Sequence, residues 1–244
     1  TGDFSAATTA DFSKDVEAQF EFLNKRKDVN RSHIGLLGHS EGAIIAPLVA
    51  SNNNKIDFII LMAAPAINMF DLLLAQDSLI MKKEGAKPKA ITASIKKNTR
   101  LFELLKSSVD SSDAQSKIAN YLDEAKASDR EIEATIKQLC SPWMRWYVNY
   151  DPKVALQKTD CAVLAINGAE DIQVPANINM PVIDSILINK QIRYSTKILP
   201  GLNHLFQPCK TCDVAEYKEI ETTMSPEVLV LISDWLNKDV MKKK

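Results

Sequence analysis

Two hydrophobic periods alternate along the chain. Behind Thr8 or Thr9 as N-cap, with Asp11 in the first turn, Phe12, Val16, Phe20 and Leu23 recur every three or four positions and predict a helix ending near Lys27. After Asn30 the run Ile34-Gly35-Leu36-Leu37 is short and apolar, as a strand buried on both faces must be. Residues 43–50 read as a buried helix, kinked or distorted at Pro47, which has no N–H to donate. Residues 56–61 form a second apolar, β-branched strand, closed by Ala64-Pro65. Strand, helix, strand at this spacing is a βαβ unit, so the expected fold class is α/β, a parallel sheet with helices on both faces.

Between about residues 68 and 139 the pattern changes. Leu, Ala, Lys, Glu and Ser dominate, glycine occurs only at Gly85, and apolar positions return every three or four residues. Helices are predicted over 69–83, 89–107, 114–126 and 129–138, together a helical insertion. Strand character returns over 162–166 and 194–199. Each of these runs leads into a loop of polar and turn residues, Asn167-Gly168-Ala169-Glu170-Asp171 and Pro200-Gly201-Leu202-Asn203-His204. A closing helix is signalled by Ser225 as N-cap, Pro226 in the first turn, and Val228, Leu231, Ile232 and Trp235 on one face. Lys242 to Lys244 read as a frayed tail. The expected organisation is a core in two parts, 1–67 and 151–244, interrupted by a helical insertion over 68–150.

Composition narrows the classes. With 244 residues, 45% of them hydrophobic, and Lys+Arg 30 against Asp+Glu 31, the chain is neither disordered nor collagenous. A net charge of −1 supplies no pull toward phosphate backbones or anionic lipid, so no nucleic-acid partner is expected. No apolar run approaches the roughly 18 residues that span a bilayer, and no membrane partner is expected either. Four cysteines (Cys140, Cys161, Cys209, Cys212) are too few for a disulfide scaffold and leave the compartment open. The chain starts at Thr1 with neither an initiator Met nor a signal peptide, which leaves room for a natural N-terminus ahead of it.

Gly38-His39-Ser40-Glu41-Gly42 fits G-x-S-x-G. The pattern is weak alone and strong here, because a nucleophile elbow needs a strand before it and a helix after it, and both are predicted. A serine needs a base, and the sequence has three histidines. The His39 side chain should point away from the Ser40 hydroxyl, and His33 should lie at the opposite end of the sheet, which leaves His204 beyond the last strand. The base needs a carboxylate to fix its tautomer. Asp171, on the preceding loop, gives the order Ser, Asp, His; Glu170 is its nearest rival, and Asp184 falls within the following helix. The Glu41 backbone N–H, at the helix start, is the expected oxyanion donor. A second donor should come from a loop after an earlier strand, and residues 1–30 hold only one helix and its leader.

Cys209-x-x-Cys212 lacks the further ligands that zinc would need and the strand-to-helix setting of a redox site, so it reads as a local disulfide or two free thiols. Trp143, Trp146, Tyr147 and Tyr150 either line an acyl pocket or pack helix against core.

These residues carry a resemblance. Thr1-Gly2-Asp3-Phe4, residues 7–12, residues 34–42, Ser141-Pro142-Trp143, Tyr150-Asp151-Pro152, residues 167–171 with Val174-Pro175, and residues 199–206 together resemble an α/β-hydrolase of the bacterial EstD-like esterase group. The resemblance spans nearly the whole chain, although Ala43 stands where another glycine is expected. It implies an α/β-hydrolase fold with a helical cap insertion, and Ser40, Asp171 and His204 as nucleophile, acid and base of a serine esterase. It also implies that the first strands of the sheet and their oxyanion loop precede Thr1, so the N-terminal part of the sheet is missing here. The expected activity is hydrolysis of a small-molecule carboxylic ester through an acyl-enzyme, with no metal or cofactor. A peptidase or thioesterase on the same triad, and a non-catalytic ligand-binding fragment, are the alternatives. The strand over 34–37 would then be a bare apolar edge, covered by a retained N-terminal segment or by a homo-oligomer.

Overall fold

The computed structural model describes residues 2–241, so the tail read at Lys242 to Lys244 lies outside the described residues. Four parallel strands, β1 (Gly35–His39), β2 (Phe58–Met62), β3 (Ala162–Gly168) and β4 (Tyr194–Leu199), form one sheet in the order β1-β2-β3-β4. Register places Leu37 beside Ile60, Ile60 beside Leu164, and Gly168 beside Leu199. Strands β2 and β3 are almost continuously buried, which is why they read as unbroken apolar runs rather than alternating ones.

Alternate residues of the strands feed two cores. On one face Ile59, Leu61, Val163 and Ala165 pack with α1 (Thr9–Lys25), α2 (Gly42–Ala50), α8 (Lys153–Lys158) and α9 (Ala176–Leu187) through Phe20, Val49, Leu156 and Ile183. On the other, Ile60, Met62, Leu164 and Ile166 pack with α10 (Pro226–Trp235) through Val228 and Trp235. The expected α/β arrangement with helices on both faces is therefore present. Thr8 caps α1 reciprocally with Asp11: each backbone N–H meets the other's side-chain oxygen. Pro47 sits inside α2 as expected. Ser225 precedes α10 but makes no side-chain cap; its N–H donates to Phe206 O and its C=O accepts from Val228 N, so Pro226 at the first turn carries the start signal.

The chain divides into two compact units. One comprises Phe12–Ile67 and the chain from Asp151 onward, and holds the sheet. The other comprises Asn68–Tyr150 with the leading residues up to Asp11. Those leading residues were expected with the sheet; they group instead with the helices, because the 3-10 turn Phe4–Ala6 lies against α7 (Pro142–Asn149). The helical unit also contains α3 (Met69–Lys83), α4 (Pro88–Lys106), α5 (Ser111–Glu124) and α6 (Asp129–Leu139), packed through Leu101, Leu105, Ile118, Leu122, Met144 and Val148. Four of its helices start on side-chain caps, Asn68, Asp110, Ser128 and Ser141, which satisfy backbone donors the first turn leaves open. The two ends of this unit meet: Met69 N–H donates to Tyr150 O at 3.2 Å.

Strand β1 is an edge, paired only with β2 among the described residues. Leu37 is 57% exposed there, beside a cavity of about 280 Å³ lined by Phe20, Leu23, Ile34, Leu36, Leu37 and Ile45. No helix among the described residues is long and apolar enough to cross a membrane.

Candidate active site

The sheet brings three loops to the carboxyl ends of its strands. After β1 the chain turns sharply at Ser40, whose φ of 56° is left-handed, and enters α2 behind Glu41. Such a conformation costs an ordinary residue about 1 kcal/mol or more and persists where the surroundings hold it. Gly38 is what permits the turn: a Cβ there would sit 2.0 Å from the Gly42 carbonyl oxygen. Gly42 itself faces open space, so the second glycine of the pattern is not sterically required. Ser40 N–H donates to Met62 O at 2.9 Å, which ties the turn to the end of β2.

Asp171 and His204 are brought together. His204 Nδ1 lies 2.8 Å from Asp171 Oδ2, with the His side chain 7% exposed and the Asp side chain fully buried. An ionised carboxylate only accepts, so Nδ1 carries the proton and Nε2 keeps its lone pair, the tautomer a general base requires. Every acceptor position of Asp171 is occupied. Oδ1 accepts from Gln173 N and Val174 N at 2.8 Å each, and Oδ2 accepts from Asn167 Nδ2 at 3.2 Å besides His204. Glu170 is exposed and Asp184 accepts from Thr196 Oγ1 at 3.1 Å, so neither rival carboxylate meets the histidine.

The His204 turn is built by its neighbours. Asn203 Oδ1 accepts from Leu205 N (2.9 Å) and Gln207 N (3.0 Å), and its Nδ2 donates to Gln207 Oε1 (3.1 Å). Gly168 lets the acid loop approach that turn: a Cβ on it would lie 2.3 Å from Leu202 O. His39, whose side chain was expected to point away from the Ser40 hydroxyl, holds the turn from the other side. Its Nε2 is 2.8 Å from the His204 carbonyl oxygen, so Nε2 is the protonated nitrogen, and the two rings lie 4.7 Å apart. Burial lowers the His39 pKa below its usual value, the His204 carbonyl opposing this in part. No hydrogen bond within 3.5 Å joins the Ser40 hydroxyl to His204 among the described residues; in hydrolases this contact commonly tightens only around substrate. His33 sits at the opposite end of the sheet, as expected, 2.8 Å from Asp57.

Sequence reasoning passed over Asn167, Gln173 and Tyr217. Asn167 Nδ2 donates to Asp171 and to Gly168 O and Val174 O, closing the acid loop. Tyr217 Oη accepts from Gln173 Nε2 at 2.9 Å, and burial raises its pKa. Asn167 lay visible next to Gly168, whereas nothing local to Tyr217 announced its contact with a loop 44 residues away. Cys209 and Cys212 form a disulfide, one of the two readings of that pair. Trp143, Trp146 and Tyr147 lie on α7 of the helical unit, where Trp143 stacks on Tyr147 and Trp146 on Tyr150. No group of three or more metal-ligating side chains occurs among the described residues.

Residues 16–220 match the family described as BAAT / Acyl-CoA thioester hydrolase C terminal. The chain belongs to that family. Among solved structures it is similar to the Pyrococcus horikoshii acylaminoacyl peptidase, at 11% identity and a TM-score of 0.53 over 98% of this chain and 29% of that one. It is also similar to Est1E from Butyrivibrio proteoclasticus, at 13% identity and a TM-score of 0.49 over 97% of this chain and 73% of that one. The chain thus spans less than a third of the peptidase. No functionally curated protein matches the sequence. The family and the parallel sheet make this BAAT-type chain a member of the α/β-hydrolase superfamily; the narrower EstD-like group is not singled out.

Proposed function

We propose that this chain is a serine hydrolase that cleaves carboxylic esters through an acyl-enzyme. The observation that carries the reading is the buried His204–Asp171 pair at 2.8 Å, beside a left-handed Ser40 turn whose preceding residue is bonded to the His204 backbone. In this mechanism Ser40 Oγ attacks the acyl carbonyl while His204 Nε2 takes its proton and returns it to the leaving alcohol. Water deprotonated by His204 then releases the acid. Asp171 holds the tautomer and stabilises the imidazolium, and the Glu41 N–H, at the start of α2, faces the developing oxyanion.

A fluorophosphonate probe tests the reading. The parent chain should be labelled and Ser40→Ala should not; an unlabelled parent overturns it. The family description favours one second reading, a thioester in place of an oxygen ester. Both share the triad, so matched acyl chains presented as p-nitrophenyl esters and as acyl-CoA thioesters separate them by kcat/KM. An ester panel of varied chain length then reads acyl preference.

A further inference from the structure

The segment after the His204 turn is more constrained than a connecting loop needs to be. Cys209 and Cys212 close a four-residue ring, and Cys209 N–H donates to Gly201 O at 3.2 Å beside the Leu202–Pro208 bridge. Inside the ring the successive N–H groups of Lys210, Thr211 and Cys212 all converge on the Glu216 carboxylate, at 2.9, 3.0 and 2.7 Å. These donors lower the Glu216 pKa, that of Lys210 most, so the carboxylate stays charged and the collar stays shut. Cys212 has a φ of 58°, a left-handed conformation that an L-residue adopts only when held there. Asp213 Oδ1 then caps Ala215 N, starting the 3-10 helix Val214–Glu219 that carries both Glu216 and Tyr217.

Tyr217 points back at the acid–base pair. Its oxygen accepts from Gln173 Nε2 at 2.9 Å. Gln173 is the residue whose own N–H binds Asp171 Oδ1. Tyr217 thus ties the segment that follows the His204 turn to the Asp171 loop, and its neighbour Glu216 is held by the N–H groups of the disulfide ring.

We infer that Tyr217 is a positioning residue for the His204–Asp171 pair, and that the Cys209–Cys212 disulfide, through the Glu216 collar, keeps it in place, so that hydrolysis depends on the dithiol–disulfide state of this loop. The inference rests on the triad reading above. Cys209 is partly exposed and Cys212 buried, so an external dithiol enters at Cys209. Its thiolate attacks Cys209 Sγ, the bond to Cys212 breaks, and Cys212 departs with the electron pair as a thiolate that is then protonated. The second thiol of the reagent attacks the mixed disulfide and releases Cys209, and the reagent leaves as its own disulfide, two electrons having passed to the protein. The freed Cys212 backbone can leave the left-handed region, the three N–H groups lose their common acceptor geometry, and Tyr217 loses its anchor. The other two cysteines stay apart from this chemistry: burial raises the thiol pKa of Cys140, and that of Cys161 to about 12.

Dithiothreitol tests it on the intact chain, with ester hydrolysis, fluorophosphonate labelling and the proton spectrum as readouts. Reduction should lower kcat about 10-fold or more with KM within about two-fold, as misplacement of a general base does, and reoxidation should restore it. Tyr217→Phe, which keeps the ring and loses the acceptor, should start at the lowered rate and no longer respond to reductant. The Cys209→Ser/Cys212→Ser double variant should behave as the reduced parent in both buffers. A fully reduced parent that hydrolyses at the oxidised rate, or a Tyr217→Phe enzyme that still responds to reductant, overturns the inference. The downfield Nδ1–H signal of His204 reads the pairing without any turnover. It should be sharp in the oxidised parent, and broadened on reduction and in Tyr217→Phe. If that signal is unchanged the positioning role fails even in an active enzyme. If it broadens as expected in a chain that takes no fluorophosphonate, the clasp stands and the esterase reading fails.

Discussion

Asp171 has four donors around two oxygens, and only one of them is the catalytic histidine of the proposed mechanism. Replacing it by Asn leaves an oxygen for the Gln173 and Val174 N–H groups but presents an amide donor toward His204, which then flips its proton to Nε2. Asp171→Asn should therefore fold and lose about 10⁴ in kcat, measured on whichever ester the parent turns over. His39 gives a pH signature of a different kind. Its folded pKa is lowered by burial from the ordinary 6.5, so the unfolded chain binds the proton more readily. The stability it contributes is complete above about pH 6.5 and is lost as pH falls through the lowered folded value. His39→Gln should flatten the acid side of the stability profile, measured by urea unfolding at stepped pH. The glycines of the elbow separate as well. Gly38→Ala must drive a methyl into the Gly42 carbonyl and should fail to fold or to be labelled at Ser40, whereas Gly42→Ala should do neither.

At the scale of elements, much of the architecture was legible because its cause is local. The apolar runs of β2 and β3, the 3.6-residue period of α3 and the Tyr194–Leu199 strand are properties of contiguous residues, and they stand where their patterns put them. Other elements were not legible, for physical reasons. Helix α8 has six residues, too few to show a period, and α7 carries aromatics whose spacing serves stacking and packing together. Within the site, Asp171 and His204 could be read because chain order and loop position constrain them. Gln173 and Tyr217 could not, since what aligns them is a contact between loops with no local pattern. The helix caps of the helical unit are local again. Asp110 Oδ1 accepts from Asp113 N at 2.8 Å, and Asp110→Ala should cost about 1 kcal/mol, read as a shifted urea midpoint with an unchanged slope.

Across the whole molecule, the sheet has two edges among the described residues, β1 and β4, each paired on one side only. Beside β1, the strand that leads to Ser40, lies an apolar groove at which Leu37 is exposed. A parallel strand of this composition is ordinarily covered, and we expect a further strand to lie on β1, from a longer form of the chain or from a second copy. For the 244-residue chain alone the second copy is the available partner, so light scattering should show association that grows with concentration. Leu37→Lys should reduce that association. A parent that stays monomeric at every concentration would remove the second copy and leave the longer chain.

The hydrogen bond between Met69 N–H and Tyr150 O has a bearing beyond local geometry. It means that the polypeptide departs from the sheet unit and comes back to it within the span of one peptide contact, after an excursion of more than eighty residues. A detour with coincident ends imposes almost no distance constraint on the strands it interrupts, and the closure entropy of the joining segment changes only slowly with its length. Substitutions, insertions or wholesale exchange between those two residues are therefore nearly invisible to the pairing of Asp171 with His204. The excursion is thus free to vary, whereas the two loops that bring Asp171 to His204 are held by the hydrogen bonds between and within them.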